Sequence, residues 1–221
     1  MINLPKCQEL FTSSSHLFKN LFDGIEYPWE IIPLLTERIR KLVSSPPPGY
    51  ERLGESVLIG KNVKISPSAY IEGCAIICDG AELRHGAFLR GSVILGKGCV
   101  IGNSSEVKNS ILMDGAQAPH FNYVGDSVLG EKAHLGAGAI CSNLRSDGKS
   151  VHIRRGESDC DTGLRKLGAI LGDRVEIGCG AVLCPGTVIG NDTVIYPLTC
   201  ARGVYPARSI VKAQGAVVPR I

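Results

Sequence analysis

The sequence predicts an all-β fold, a parallel β-helix in which short strands form stacked coils. Three observations indicate this class: aliphatic residues recur every six positions, 27 of the 221 residues are glycine, and only 5% are aromatic. A period of six matches neither the 3.6 residues of a helical turn nor the alternation of a strand with one buried face. It matches three short strands per coil, each directing one aliphatic side chain inward, with tight turns between them.

The longest repeat runs through ten consecutive positions spaced six residues apart, and we expect all ten side chains to face the interior. A second run covers five positions, and a short third run lies between the two. The positions are Ile59, Ile65, Ile71, Ile77, Leu83, Leu89, Leu95, Ile101, Val107 and Met113 in the first run, Leu171, Ile177, Leu183, Ile189 and Ile195 in the second, and Leu129, Leu135 and Cys141 in the third.

A different segment precedes the repeats. Its apolar residues Ile31, Leu35, Ile39 and Leu42 recur near helical spacing, and the Pro-rich stretch SSPPPG follows them. We therefore expect residues 1–50 to form a helical arm with a Pro-rich linker and residues 51–221 to form the β-helix domain. The arm is expected to pack on the coils or on a neighbouring subunit rather than to carry chemistry.

The six-residue repeat is lost twice. The first interruption covers residues 114–128. The second, near residues 144–169, is predicted to be an inserted loop, and loops inserted into a solenoid often bind ligands. This loop is either a solvated excursion or an anion-binding segment, because it contains six basic residues: Arg145, Lys149, Arg154, Arg155, Arg165 and Lys166.

Composition excludes several classes of protein. The net charge of +3 offers no extended basic surface for a nucleic acid. No apolar run approaches the roughly 18 residues of a membrane helix, and the N-terminal residues do not resemble a signal peptide. The nine cysteines include no pair of CxxC motifs that would indicate a zinc site. We expect a cytoplasmic protein with reduced, mostly buried thiols.

A group of polar residues suggests a site on the coils. Arg90 and Lys108 are 18 residues apart, which is one coil, so their side chains are expected to stack roughly 5 Å apart. Two stacked cations repel each other, and a bound phosphate would stabilise them. Taken singly, the nearby His120, Tyr123 and Asn143 fit solvated turns; together with the two cations they indicate a binding site.

Three stretches resemble a known family in order and spacing. LRGSVILGKGCVIGNSSEVKNS, APHFNYVGDSVLGEKAHLGAGAICSNLRSDGK and LGDRVEIGCGAVLCPGTVIG resemble left-handed β-helix acyltransferases. Within that family they are most similar to the acetyltransferase domain of the bifunctional UDP-N-acetylglucosamine pyrophosphorylase/glucosamine-1-phosphate N-acetyltransferases. The most specific motif is H-x-x-Y-x-G-D followed by G-A-G-x-x-C-x-N. The resemblance implies a left-handed coil.

The resemblance also implies roles for individual residues. The catalytic base falls on His120, and the sugar-phosphate contacts fall on Arg90, Lys108, Tyr123, His134 and Asn143. The acetyl-CoA contacts fall on Ala137, Asn143, Leu144, Lys149, Cys179 and Pro197. Four positions depart from the family pattern, which has asparagine at His134, an aromatic residue at Leu144, serine at Cys179 and a small residue at Pro197.

The function implied by the resemblance is acetyl-CoA-dependent N-acetylation of an amino-sugar phosphate or nucleotide sugar, without a metal and in a homotrimer. A neutral histidine has the pKa that suits a base at neutral pH. The phosphates of CoA would meet Lys149, Arg202, Arg208 or Lys212. Residues 1–50 contain no Gly-rich phosphate loop, so no pyrophosphorylase activity is expected. Two alternatives stay open: an acyltransferase with a different acceptor, and a non-catalytic subunit that binds a sugar nucleotide.

Overall fold

The computed structural model describes residues 4–13, 15–212 and 216–220. Its main body is a left-handed parallel β-helix, which confirms the predicted fold class. A nine-stranded sheet forms one wall of the triangular prism, and a 13-stranded sheet bends around a corner to form the other two. Each strand pairs with the strand one coil later, so the side chains of a given wall form columns along the prism.

The three walls are numbered in chain order. The first wall contains Val57–Ile59, the second halves of Tyr70–Ile77, Phe88–Leu95 and Glu106–Leu112, and then Val128–Leu129, Ala169–Leu171, Thr187–Ile189 and Val204–Tyr205. The second wall contains Lys64–Ile65, Glu82–Leu83, Val100–Asn103, Gln117–His120, His134–Leu135, Glu176–Ile177, Val194–Ile195, Ser209–Val211 and Val217–Pro219. The third wall contains the first halves of the three long strands, followed by Tyr123–Gly125, Ile140–Cys141, Val182–Leu183 and Cys200–Ala201. Glu51–Leu53 pairs antiparallel with Val57–Ile59 at the first edge.

The interior of the prism is a continuous aliphatic core, and nearly all of the predicted inward positions belong to it. The prediction is wrong at Met113. Leu112 faces the core there, and Met113 lies outside the prism in a second apolar cluster. The predicted loss of the repeat over residues 114–128 is also wrong, since Ala118 and Val124 continue the core at six-residue spacing from Leu112.

The reason is a shortened corner between the third and first walls. Arg90 pairs with Lys108, 18 residues later, but Ile94 pairs with Ile111, only 17 residues later. The next coil is again 17 residues long, with Ile111 opposite Val128. Serine side chains complete these tight corners: Ser110 Oγ accepts from the backbone N–H of Ser127 at 2.9 Å. Each shortened corner moves the inward position by one residue. A search at exact six-residue spacing therefore misses the inward positions that follow.

The N-terminal arm packs on the outside of the first wall. Its helices are Cys7–Leu10, His16–Leu21, the 3-10 segment Pro28–Leu34 and Leu35–Ser44. Ile31, Leu35 and Ile39 are fully buried, whereas Leu42 is only partly buried. They join a second cluster with the outward side chains of the first wall, among them Ile76 and Ile94. The arm therefore docks on its own coils.

The inserted segment covers the rest of the first wall. The chain leaves the coil after Asn143, and the Leu167 N–H returns to the Asn143 carbonyl at 3.0 Å. Between these points His152–Arg155 and Ser158–Asp161 form an antiparallel hairpin, which the sequence did not predict. Val151 and Ile153 are fully buried in the second cluster. Within residues 4–13, 15–212 and 216–220, no helix is long and apolar enough to span a membrane.

Candidate active site

One corner of the prism, between the second and third walls, carries four of the predicted site residues in a column. We call it the His120 corner. The His120 carbonyl accepts from the Gly138 N–H at 3.0 Å, the Ala137 carbonyl from Gly180 at 2.8 Å, and the Cys179 carbonyl from Leu198 at 2.9 Å. His120, Ala137, Cys179 and Pro197 therefore follow one another, one per coil. The residue predicted to be the catalytic base is therefore aligned with three residues predicted to contact acetyl-CoA.

The His120 side chain is exposed at the end of the strand Gln117–His120. Among the described residues its ring has no hydrogen-bond partner, while its backbone is held firmly. The buried Asn122 accepts from the His120 N–H at 3.0 Å and donates to the Gly136 carbonyl at 2.8 Å. The backbone at His120 is thus fixed, and the imidazole is open to a ligand.

The adjoining third wall carries Arg90 and Lys108 in direct register, as predicted. Each cation has its own carboxylate, which the sequence analysis did not anticipate. Arg90 Nε lies 2.6 Å from Glu106 Oε1, and Lys108 Nζ lies 3.1 Å from Asp126 Oδ2. The repulsion between the two cations is offset within the chain, so their stacking does not by itself require a phosphate.

Asp126 is the centre of this polar group, although sequence reasoning did not select it. Its side chain is 5% exposed, and its carboxylate accepts from Lys108, from Asn109 Nδ2 at 2.9 Å and from Asn143 Nδ2. Its backbone has a left-handed φ of 47°. A signal was present, since Asp126 ends the H-x-x-Y-x-G-D motif.

Tyr123 and Asn143 lie together on the third wall. Asn143 Nδ2 donates to the Tyr123 hydroxyl at 3.1 Å, so the two predicted acceptor contacts and Asp126 form one network. Burial, and then the negative charges of Glu106 and Asp126, raise the pKa of Tyr123. The phenol therefore keeps its proton at neutral pH and can donate a hydrogen bond.

Three predicted residues lie apart from this group. His134 is on the second wall, where its Nδ1 lies 3.0 Å from Glu176 Oε2. Leu144, at the start of the insertion, is 42% exposed. Lys149 is exposed within the insertion, where its backbone N–H donates to Asp147 Oδ1 at 3.2 Å. Within one chain the structure does not bring these side chains to the His120 corner.

Several basic residues of the insertion have acidic partners. Arg145 holds Asp147 through two hydrogen bonds, and this contact lowers the pKa of Asp147. Arg154 and His152 both contact Asp159, at 3.0 and 2.7 Å. These pairs favour a folded, surface-exposed hairpin over an anion-binding loop. In the part of the chain that the structure describes, no three His, Cys, Asp or Glu side chains are grouped to hold a metal ion.

Known proteins are similar to parts of this chain. A family model described as the GMPPB C-terminal domain matches residues 76–158. The chain is 34% identical to the bifunctional protein GlmU of Methanococcus maripaludis over 180 residues, which cover 80% of this chain and 44% of that protein. It is 44% identical to the bifunctional sugar-1-phosphate nucleotidylyltransferase/acetyltransferase of Sulfurisphaera tokodaii over 94 residues, 42% of this chain and 23% of that one. The chain thus spans less than half the length of either relative.

Among solved structures, the polySia specific acetyltransferase NeuO is similar, with a TM-score of 0.49 and 12% identity over 75% of this chain and 79% of that one. These matches support a similarity to the left-handed β-helix acyltransferases. The coils of this chain are close to the acetyltransferase domain of the GlmU proteins, as the three sequence stretches predicted.

Proposed function

We propose that this chain is an acetyl-CoA-dependent N-acetyltransferase whose acceptor is an amino-sugar phosphate or a nucleotide sugar. One observation carries the proposal: His120 is aligned with Ala137, Cys179 and Pro197 along one corner, beside a wall that presents Arg90, Lys108, Tyr123 and Asn143. Donor and acceptor contacts thereby meet at an exposed imidazole.

His120 would take a proton from the acceptor amine as the nitrogen attacks the thioester carbonyl of acetyl-CoA. The new amide bond forms, the carbon–sulfur bond breaks, and the CoA sulfur leaves with the electron pair. The backbone N–H of Ala137, the exposed residue of the GAGA turn, would stabilise the negative charge on the attacked oxygen. General base catalysis and oxyanion stabilisation account for the reaction without a metal.

The acceptor's phosphate would bind at Arg90 and Lys108. Glu106 and Asp126 already neutralise these cations, so the phosphate must share them or displace Glu106, whose side chain is 30% exposed. Asp126 is more buried, so we expect its contact with Lys108 to persist. Tyr123 would donate to the sugar, and Asn143 would orient the amine or the carbonyl.

The site would be completed by other copies of the chain in a homotrimer. A wall of a prism is shallow, and a ligand on it needs a second surface. Phe121 and Leu198 extend from the His120 corner with 59% and 83% of their surface exposed. Both have left-handed φ values, 52° and 58°, which cost free energy for bulky residues. A neighbouring subunit covering this corner would bury both side chains.

No pyrophosphorylase activity is part of the proposal. The short helices between residues 7 and 44 pack against the first wall, with Leu10 and Trp29 buried there. They provide no Gly-rich phosphate loop. N-acetylglucosamine 1-phosphate incubated with UTP and this chain should therefore give no pyrophosphate.

The proposal is tested by following thiol release from acetyl-CoA with glucosamine 1-phosphate as acceptor. We expect turnover by the native chain and a loss of at least about a hundredfold in His120→Ala, the usual contribution of a general base. His85→Ala is the matched control. His85 is exposed in the same corner column two coils earlier, where its Nδ1 lies 2.7 Å from Ser68 Oγ, and its loss should leave turnover unchanged.

Other results would favour the alternatives. Binding of the sugar phosphate without turnover would indicate a non-catalytic subunit. The absence of both binding and turnover would indicate a different acceptor, consistent with His134 and its Glu176 partner at a position where the family has asparagine.

A further inference from the structure

Two cysteines on the third wall face each other across neighbouring coils. Cys200 lies opposite Val182, and Cys184 follows two residues after Val182. The two Sγ atoms are 3.6 Å apart. Among the cysteines of the described chain, no other pair is in hydrogen-bond contact through sulfur. The proposed acetyltransferase reaction uses neither thiol.

The surroundings of the pair differ from those of the core thiols. Cys99 and Cys141 are fully buried inside the prism. Cys200 is exposed, whereas Cys184 is only 9% exposed. A guanidinium nitrogen of Arg202 lies 3.8 Å from Cys184 Sγ. One thiol can therefore meet a reagent in solution while the other lies within contact distance of it.

We propose that Cys184 and Cys200 are a redox modification site, a dithiol that low-molecular-weight disulfides convert reversibly to an intramolecular disulfide. In the first step the Cys200 thiolate attacks one sulfur of the small disulfide, forming a mixed disulfide and releasing one small thiol. In the second step the Cys184 thiolate attacks Cys200 Sγ, forming the protein disulfide and releasing the second small thiol. The protein loses two electrons and two protons, which the small disulfide gains as two thiols.

The geometry indicates a labile bridge rather than a structural one. The sulfur atoms must approach from 3.6 Å to about 2.05 Å. The two residues are diagonal neighbours, not direct partners, in the ladder between the coils. Closing the bridge would therefore strain the strands, and strained, exposed disulfides are the ones most easily reduced. The bridge would tie together the coils that carry Cys179 and Pro197.

The test is to incubate the full chain with glutathione disulfide and measure intact mass and bridged peptides. We expect the loss of two hydrogen atoms without a retained glutathione at this pair, reversed by dithiothreitol. Digestion before aspartate cuts at Asp192 and separates Cys200 from Cys184, so a bridge joins two peptides that are otherwise independent. A native chain that keeps both thiols reduced, or that bridges other cysteines, would overturn the proposal.

Serine variants separate the roles of the two thiols. Cys184→Ser should accumulate a stable mixed disulfide at Cys200, since no thiol resolves it. Cys200→Ser should lose both the bridge and the adduct. Cys179→Ser removes the other exposed thiol, which lies on the same peptide as Cys184, and should still form the bridge. A bridge that persists in Cys184→Ser but disappears in Cys179→Ser would show that Cys179 is the partner. None of these measurements depends on acetyltransferase activity.

Discussion

The first and third walls have the same coil geometry but opposite surroundings. Both send aliphatic side chains into the prism. On the outside, the first wall presents Ile76, Ile94, Ile111 and their neighbours, all covered by the arm and the insertion. The third wall carries the partly exposed side chains of Arg90, Lys108 and Tyr123, which no other part of the described chain covers with an apolar layer. The inward residues therefore specify the coil, while the outward residues decide whether a wall is structural or available for a ligand.

The largest effect should follow from a charge on the outside of the first wall. Ile94→Asp places a carboxylate where the side chain is fully buried between coil and arm. A buried unpaired charge should lower the free energy of unfolding by at least about 4 kcal/mol. Urea denaturation would measure it. Tyr70→Asp, on the 64% exposed residue of the third wall, is the control. It removes only a ring contact with Phe88 at 5.7 Å and should change stability by less than about 1.5 kcal/mol. Equal losses would refute the contrast between the walls.

A smaller effect is expected where the third wall does contain a buried charge. Asp126→Asn leaves Lys108, whose side chain is 18% exposed, without its carboxylate. We expect a loss of about 2–3 kcal/mol in the free energy of unfolding, near the lower limit for breaking a buried pair. A double-mutant cycle with Lys108→Met should return a coupling of at least about 1 kcal/mol. Additive losses would mean that the two side chains do not interact.

The outward face of the first wall could have been predicted from the sequence, but the polar network could not. Residues before the inward positions, such as Leu58, Ile76 and Ile94, are aliphatic as well, which indicates a wall buried on both sides. The register shift at Ser110 and Ser127 could not be predicted, because a corner that is one residue shorter breaks the six-residue repeat in the same way as a loop does. The hairpin was not predicted from the sequence, because its charged residues, which suggested a solvated or anion-binding loop, pair with one another within the insertion.

The candidate site likewise contains residues that the sequence predicts and partners that it does not. The motif selected His120, Tyr123 and Asn143 as candidate site residues, and the 18-residue coil predicted that Arg90 lies opposite Lys108, as it does in the structure. The partners of the cations were harder to foresee. Glu106 lies opposite Phe88, so only a side-chain conformation brings it to Arg90. Asp126 reaches Lys108 and Asn143 from a left-handed backbone conformation that sequence spacing does not reveal.

Arg90 should affect binding far more than stability. Its pair with Glu106 has side chains that are 41% and 30% exposed, so Arg90→Gln should cost less than about 1 kcal/mol of unfolding free energy. The loss of one charge-assisted contact with the acceptor's phosphate should raise KM about tenfold. Arg84→Gln is the matched control, because Arg84 has a similar exposure and pairs with Glu82 at 3.3 Å at the edge of the second wall. A KM that responds to Arg84 but not to Arg90 would place the phosphate elsewhere.

The smallest effect concerns the proton of Tyr123. Burial comes first among the causes that raise the pKa of this phenol, followed by the charges of Glu106 and Asp126. The folded phenol therefore holds its proton more tightly than the unfolded one, whose pKa is about 10. Below that pH the phenol is protonated in both the folded and the unfolded state, so it adds no pH dependence to stability. Above that pH the unfolded state ionises first, and the free energy of unfolding falls as the pH rises. Phenolate absorbance of the native chain minus that of Tyr123→Phe isolates this ionisation. An ionisation midpoint at or below the ordinary phenol pKa would mean that Tyr123 is as well solvated as a residue on an open surface. The contrast between a solvated third wall and a covered first wall would then hold for the site residues themselves.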